Sequence, residues 1–254
     1  MSESIDDFLK KWVNSSCGFR MSEEEGKKFI YGSLVNNFYE KDFKIFLDGR
    51  PNNGESSLFD YYTEQFRKHV VNTSKNEGFN LEEQALEELL EENKELFERI
   101  FILSYIKKGP RIINGINAWL DSSYFIIEHA NDEDITNLEI HIPFVLYAKG
   151  LSKLNIAYDK NNYNLALTGV QETIEEIEGF DGVTEQSHLL KEASLKGLKY
   201  LENMIITKKP KTKLERLHEE LDGYVIEENY EKAAELRDLI KEQEKNNKNL
   251  YPES

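Results

Sequence analysis

Cysteine is almost missing from this chain. Cys17 stands alone among 254 residues, which excludes an internal disulfide and a multi-cysteine zinc site. His69, His129, His141, His188 and His218 are scattered without His-x-x-x-His spacing, so neither zinc nor a catalytic dyad is expected. A phosphate-cradling glycine loop, a Gly-x-Ser-x-Gly elbow and a dinucleotide fingerprint are all absent. No apolar run approaches bilayer length. The opening "MSESIDDFLKKWV" lacks the basic stretch and apolar run of a secretory signal. The resulting expectations are no catalytic residues, no cofactor, no metal, no membrane contact and a cytoplasmic location.

Charge of one sign is in excess. Net charge is −16, and "KKPKTK" is the largest basic patch, so direct binding to nucleic acid is not expected. A surface that imitates nucleic acid is the other use of such charge. Thirteen Tyr and fourteen Phe supply enough apolar surface to bury that wholesale disorder is excluded.

The pattern is mainly α with a minor β part. Ile5, Phe8, Leu9, Trp12 and Val13 share one face of a short helix over 4–14. Two β-branched and aromatic runs, 27–36 and 41–48, read as an antiparallel hairpin, with Phe43, Ile45 and Leu47 alternating. "DGRPNNG" closes the second strand, and "SLFDYY" starts a helix at Ser56 or Ser57. From residue 80 onward the spacing is helical. One helix begins at an Asn80-x-x-Glu83 cap, the next runs from Gly109-Pro110 to about Ala130, and another follows Pro143. "NNY" (Asn161 to Tyr163) then turns into a helix ending near Gly179, and a further helix covers about 187–206. Tyr163 and Ala166 match the second helix of a tetratricopeptide repeat, though any antiparallel helix pair also favours small residues at its turn.

The acids of "QETIEEIEGFDGVTEQ" have no basic neighbour within that run. They read as a solvated face, with a divalent-cation or basic-partner surface as the sharper alternative, and an acidic metal-dependent hydrolase is a further alternative for the chain as a whole.

The expected layout is a β-hairpin plus tetratricopeptide-like body over 1–207 and a basic linker over 208–213. A helical hairpin over 214–246 and a polar tail over 247–254 follow. Thr212-x-x-Glu215 is a capping box at the hairpin's start. Leu214, Leu217, Leu221, Tyr224 and Val225 form its first apolar stripe, and Asn229 marks the turn. Tyr230, Ala233, Leu236 and Ile240 form the second stripe, while Ala233 and Ala234 let the two helices approach.

This last stretch, "LERLHEELDGYVIEENYEKAAELRDLIK", resembles the UVR (UvrB/UvrC) motif. The residues that carry the likeness are Leu221, Glu228, Asn229, Tyr230, Glu231, Ala233, Ala234, Leu236, Arg237, Asp238 and Ile240. Tyr224 departs from it, because small residues are usual there. The resemblance implies an antiparallel helical pair that docks on a partner. UvrB meets UvrC in that way, and related hairpins occur in the arginine-kinase activator McsA and in ClpC-type chaperones. Asp48-Gly49-Arg50-Pro51 and Ser57-Leu58-Phe59-Asp60-Tyr61-Tyr62 also resemble a group of bacterial UVR-motif proteins without assigned activity.

The expected function is a non-enzymatic adaptor. Its binding residues would be Leu217, Leu221, Tyr224, Val225, Tyr230, Ala233, Ala234, Leu236, Arg237, Asp238 and Ile240. A UvrB/UvrC-like protein, a Clp chaperone or kinase component, or a second copy of the chain is the expected partner. A modulator of nucleotide excision repair is the alternative. Arg237 has two expected uses, a local pair with Glu227 or Glu228 and a contact to a partner carboxylate.

Overall fold

Glu25 and Gly26 both adopt positive φ, 50° and 77°, the backbone that a tight two-residue hairpin turn demands. That turn joins the expected hairpin to a further strand. The computed structural model describes residues 16–36, 39–105, 109–130, 135–211 and 213–250. The helix expected over 4–14 and the capping residue Thr212 lie outside them. Strands β1 (Ser16–Glu24), β2 (Lys27–Asn36) and β3 (Tyr39–Phe46) form one antiparallel sheet in the order β1-β2-β3. The sequence reading misses β1, where only Cys17, Phe19 and Met21 alternate among Gly, Arg and Ser.

Register sorts the sheet's faces. Met21, Ile30 and Ile45 lie opposite one another, and Ile30 and Ile45 are buried in the main core with Phe43 against it. The other face carries Phe29, Tyr31 and Phe46. There the Lys44 ammonium sits 4.3 Å from the Phe29 ring centroid and pairs with Glu24 at 2.8 Å.

Eight helices follow among the described residues: α1 (Leu58–Thr73), α2 (Glu83–Tyr105), α3 (Gly109–His129), α4 (Ile135–Asp159), α5 (Tyr163–Glu178), α6 (Glu185–Lys208), α7 (Lys213–Ile226) and α8 (Tyr230–Leu250). The fold is therefore mainly α with a small β part, as the patterning implies. Two boundaries need correction. The helix expected to start at an Asn80 cap begins at Glu83, where the Leu86 amide donates to Glu82 O at 2.9 Å and Asn80 stands outside it. The helix expected after Pro143 begins at Ile135 and runs through that proline. Pro143 leaves the carbonyl four residues earlier without its amide, a cost of about 3 kcal/mol. Leu138, Ile142, Val145 and Leu146, all buried around it, offset that loss.

The chain divides into two compact units, Met1–Ile205 and Ile206–Ser254. In the first unit, Leu89, Phe97 and Leu103 of α2 meet Ile116, Trp119 and Ile126 of α3 and Ile142 of α4 in one continuous core. Lys149 pairs with Glu176 and Lys153 with Glu172, so α4 and α5 run antiparallel. Ala157 and Ala166 are fully buried, and a Cβ on Gly169 would stand 3.0 Å from Lys153 Cβ. The small residues read from the sequence thus allow close helix packing. Asn162 caps α5 by accepting the Leu165 amide at 3.0 Å.

In the second unit, α7 and α8 are joined by a turn. The Asn229 amide donates to Tyr224 O at 2.8 Å, and Glu228 takes φ 59°. No helix among the described residues is long and apolar enough to cross a membrane.

Candidate functional site

The helical hairpin buries fewer of its expected residues than the periodicity suggests. Leu217, Ala233 and Ile240 are buried. Leu221, Tyr224 and Leu236 are half-buried, while Ala234 and Asp238 are exposed. One alanine of the pair therefore serves the packed side, and Ala234 does not. Val225, Ile226 and Tyr230, at the turn, are 48%, 82% and 67% exposed. Glu227, Glu228 and Glu231 are exposed beside them. Lys232 places its ammonium 5.1 Å from the Tyr224 centroid, which gives the tyrosine at this unusual position an aromatic-cation contact within the hairpin. Arg237 does not bridge to Glu227 or Glu228. Its Nε lies 3.6 Å from the carboxylate of Asp238, and both side chains are largely exposed. An exposed pair of that length contributes little to stability.

A second constellation surrounds the Asp48-Gly49-Arg50-Pro51 turn, whose role is not evident from sequence. Gly49 has φ 71°, and a Cβ there would run into the carbonyl oxygens of Glu55 and Gly54. The Arg50 amide donates to Glu55 O at 2.9 Å and Phe46 N donates to Pro51 O at 2.7 Å, which folds the loop back on β3. From α2, Glu92 reaches the loop with its carboxylate buried. It accepts from Ser57 Oγ (2.7 Å), Leu58 N (2.8 Å) and Phe59 N (3.3 Å), and it pairs with Arg50 Nε at 3.1 Å. Glu92 is thus a second cap for α1, delivered from a different helix to amides that favour negative charge. Its oxygens are fully engaged by these donors.

Two more guanidinium groups close the same loop. Arg99 Nη1 donates to Phe46 O (3.3 Å) and Gly49 O (2.7 Å), and Arg111 Nη1 donates to Asp48 Oδ1 (3.0 Å) and Leu47 O (3.4 Å). Burial pushes the Arg99 pKa down, Asp48 and Glu92 counteract it, and its Nε has no partner. Asn52 donates to Glu95 at 2.7 Å. Burial, with Glu91, Glu98 and Glu92 nearby, lifts the Glu95 carboxyl to about 7. A cleft of about 370 Å³ borders Arg50, Ser57, Glu92 and Arg99. Sequence reading finds the turn chemistry but not Glu92 or Arg99, because nothing local marks a partner 34 or 50 residues away.

The acidic run over 171–186 acquires the cations that its own sequence lacks. Glu172 and Glu176 pair with Lys153 and Lys149 of α4, and Glu178 pairs with Lys199 of α6 at 2.8 Å. The ion pairs of these three acids remove much of the charge that a cation site would use. No group of three or more His, Cys, Asp or Glu residues among the described residues is placed to hold a metal ion. His129 is buried among Phe66, Phe79 and Phe125, with centroids 4.5, 5.4 and 4.7 Å away, and acts as a packing residue.

No family model matches the chain, and neither a curated protein nor a solved structure matches it.

Proposed function

We propose that the protein is a non-enzymatic adaptor and that its C-terminal helical hairpin docks on another protein. One observation carries this reading. Leu217, Ala233 and Ile240 close the hairpin, while Val225, Ile226 and Tyr230 stand in solvent at the turn. A short helical pair gains little by exposing three large apolar side chains together unless a partner covers them. Arg237 and Tyr230 belong to the residue types that dominate binding energy at interfaces. The proposed partner is a UvrB/UvrC-like protein or a component of a Clp chaperone or arginine-kinase system, with self-association as the alternative.

The test is direct binding of the full chain to purified UvrB, UvrC, a ClpC-type chaperone and an arginine kinase, alongside sedimentation of the chain alone. Tyr230→Ala and Arg237→Ala are expected to weaken binding by ~1–3 kcal/mol while leaving the melting temperature unchanged. If Arg237→Ala lowers the melting temperature and the bound fraction per folded molecule stays constant, the residue is structural and the interface assignment fails. A monomer that binds none of the four proteins refutes the docking reading.

A further inference from the structure

A cleft of about 410 Å³ opens where α3, α4 and the end of α5 meet, and the adaptor reading does not use it. Its volume lies within the roughly 300–1,000 Å³ typical of small-ligand sites. Tyr124 and Ile127 come from α3, Glu139 and Ile142 from α4, and Phe180 and Asp181 from the loop after α5. Tyr124 is 44% exposed, Ile127 and Phe180 are half-buried, and Asp181 is exposed, so these side chains are open to a ligand. Ile142 is fully buried and only closes the floor. The loop is held from two sides. Val183 N donates to Glu139 Oε1 at 2.7 Å, and from α6 Lys191 Nζ donates to the carbonyls of Glu178 (2.9 Å) and Phe180 (2.5 Å). A Cβ on Gly182 would lie 2.8 Å from Phe180 Cε1, so the chain passes that ring at close range. Phe180 and Asp181 are thereby positioned before anything binds, which lowers the cost of binding.

Charge in the lining is of one sign. Glu139, Glu176 and Asp181 border the cleft, and none of its described lining residues is Lys, Arg or His. Glu176 is shared with Lys149 and Lys153, so its charge is largely met. Glu139 and Asp181 form no ion pair among the described residues. Glu139 gives one oxygen to the neutral Val183 amide and keeps its charge. Gly179, the C-cap of α5, borders the cleft too, so the negative end of that helix adds to the field. Aromatic faces beside carboxylates favour a cation that also carries apolar surface. A bare metal ion does not suit the site, because no group of three or more acids among the described residues is placed to hold one. An anion or an uncharged chain would desolvate the carboxylates without compensation. We infer that the cleft binds an organic cation on an aliphatic stem, its amine or guanidine head at Glu139 and Asp181 and its stem against Tyr124, Ile127 and Phe180. Free amines and the Lys or Arg side chains of a partner share this chemistry. The assignment goes beyond the hairpin reading and does not rest on it.

The probes are butylamine, hexylamine, 1-butanol, magnesium chloride and the tripeptide acetyl-Ala-Lys-Ala-amide, each titrated into the full chain and followed by methyl NMR. Saturable shifts of the Ile127 and Ile142 methyl groups are expected with both amines, at lower concentration for hexylamine, and none with 1-butanol or magnesium. Asp181→Asn should weaken hexylamine about two- to fivefold, the range for an exposed ion pair. Tyr124→Ala should weaken it by a similar factor, about two- to fivefold, through the lost cation–π contact. Both variants should keep the melting temperature of the parent. A tripeptide that binds as tightly as hexylamine assigns the site to a partner's basic side chain, and one that fails where hexylamine binds assigns it to free amines. Should Tyr124→Ala misfold, Asp181→Asn decides the matter, since that exposed carboxylate makes no ion pair among the described residues. Shifts from 1-butanol or magnesium equal to those from butylamine would overturn the inference, as would an absence of saturation or shifts centred elsewhere. Unchanged affinity in Asp181→Asn would overturn the place of the charged head, and unchanged affinity in Tyr124→Ala the place of the stem.

Discussion

Replacing Glu92 with alanine should be among the most damaging single changes in the first unit. The carboxylate is 2% exposed and serves Ser57, Leu58, Phe59 and Arg50 together. Its removal leaves the Arg50 guanidinium, itself only 24% exposed, facing the cleft without its countercharge. Breaking a buried pair by removing one partner costs ~3–5 kcal/mol. For a unit of this size that corresponds to a fall in melting temperature on the order of 10 °C. Glu92→Gln keeps the shape and one acceptor but loses the charge, so it should cost less, ~1.5–3 kcal/mol. The decisive assay is urea denaturation of Glu92→Ala, Arg50→Ala and the double variant. If the two groups act as a pair, the double variant is less damaged than the sum of the singles by ~1–3 kcal/mol. A loss under ~1 kcal/mol for Glu92→Ala, or additivity within ~0.5 kcal/mol, would show that the carboxylate does not hold this junction.

Gly49→Ala should cost ~1–3 kcal/mol from backbone strain, and more from collision with the Glu55 carbonyl. Gly78→Ala, at φ 88° with open space around it, should carry the strain alone, and thermal melts of the two variants give the comparison. Glu95 has a folded-state pKa of about 7 against an ordinary 4.5, so between these values the folded chain holds a proton that the unfolded chain releases. Its contribution is therefore favourable at low pH and is lost as pH rises through 7. Glu95→Gln should be more stable than the parent at pH 8 and indistinguishable from it at pH 4, and the reverse ordering in melting temperature would refute the assignment. Ala233→Leu should overpack the hairpin by ~1–3 kcal/mol, whereas Ala234→Leu on the exposed side should stay within about 0.5 kcal/mol, both read from the hairpin's helical signal on heating. Limited proteolysis should cut first within Lys208–Lys213, and the chain without 211–254 should retain a cooperative transition in the first unit.

Periodicity reveals most of the helices because their apolar residues repeat locally, and the paired runs before Asp48 reveal β2 and β3 for the same reason. It fails for β1, whose apolar alternation rests on only Cys17, Phe19 and Met21 and whose place in the sheet is set by its pairing with β2. It also fails at Pro143, where burial of Leu138 and Ile142 outweighs a local penalty. The hairpin's seam follows from spacing, which puts Ala233 on the stripe with Leu236 and Ile240, whereas Ala234, about 100° further round the helix, lies on the exposed side although its small size suggests a share in the close approach. The junction at Arg50 is the least legible feature. Turn chemistry shows where the chain bends, but Glu92, Arg99 and Arg111 arrive from helices far along the sequence, and only the folded chain brings them together.

Because one carboxylate holds both Arg50 and the first amides of α1, the seven residues from Arg50 to Ser56 span a gap fixed at both ends. Adding or deleting a single residue there would force a choice between the loop and the helix start, since Glu92 cannot serve both at a new separation. Surface loops ordinarily drift in length over evolutionary time with little consequence. This one is a ruled distance, and length variation in descendants of the chain should fall elsewhere, at connections such as the exposed stretch from Ser74 to Glu77.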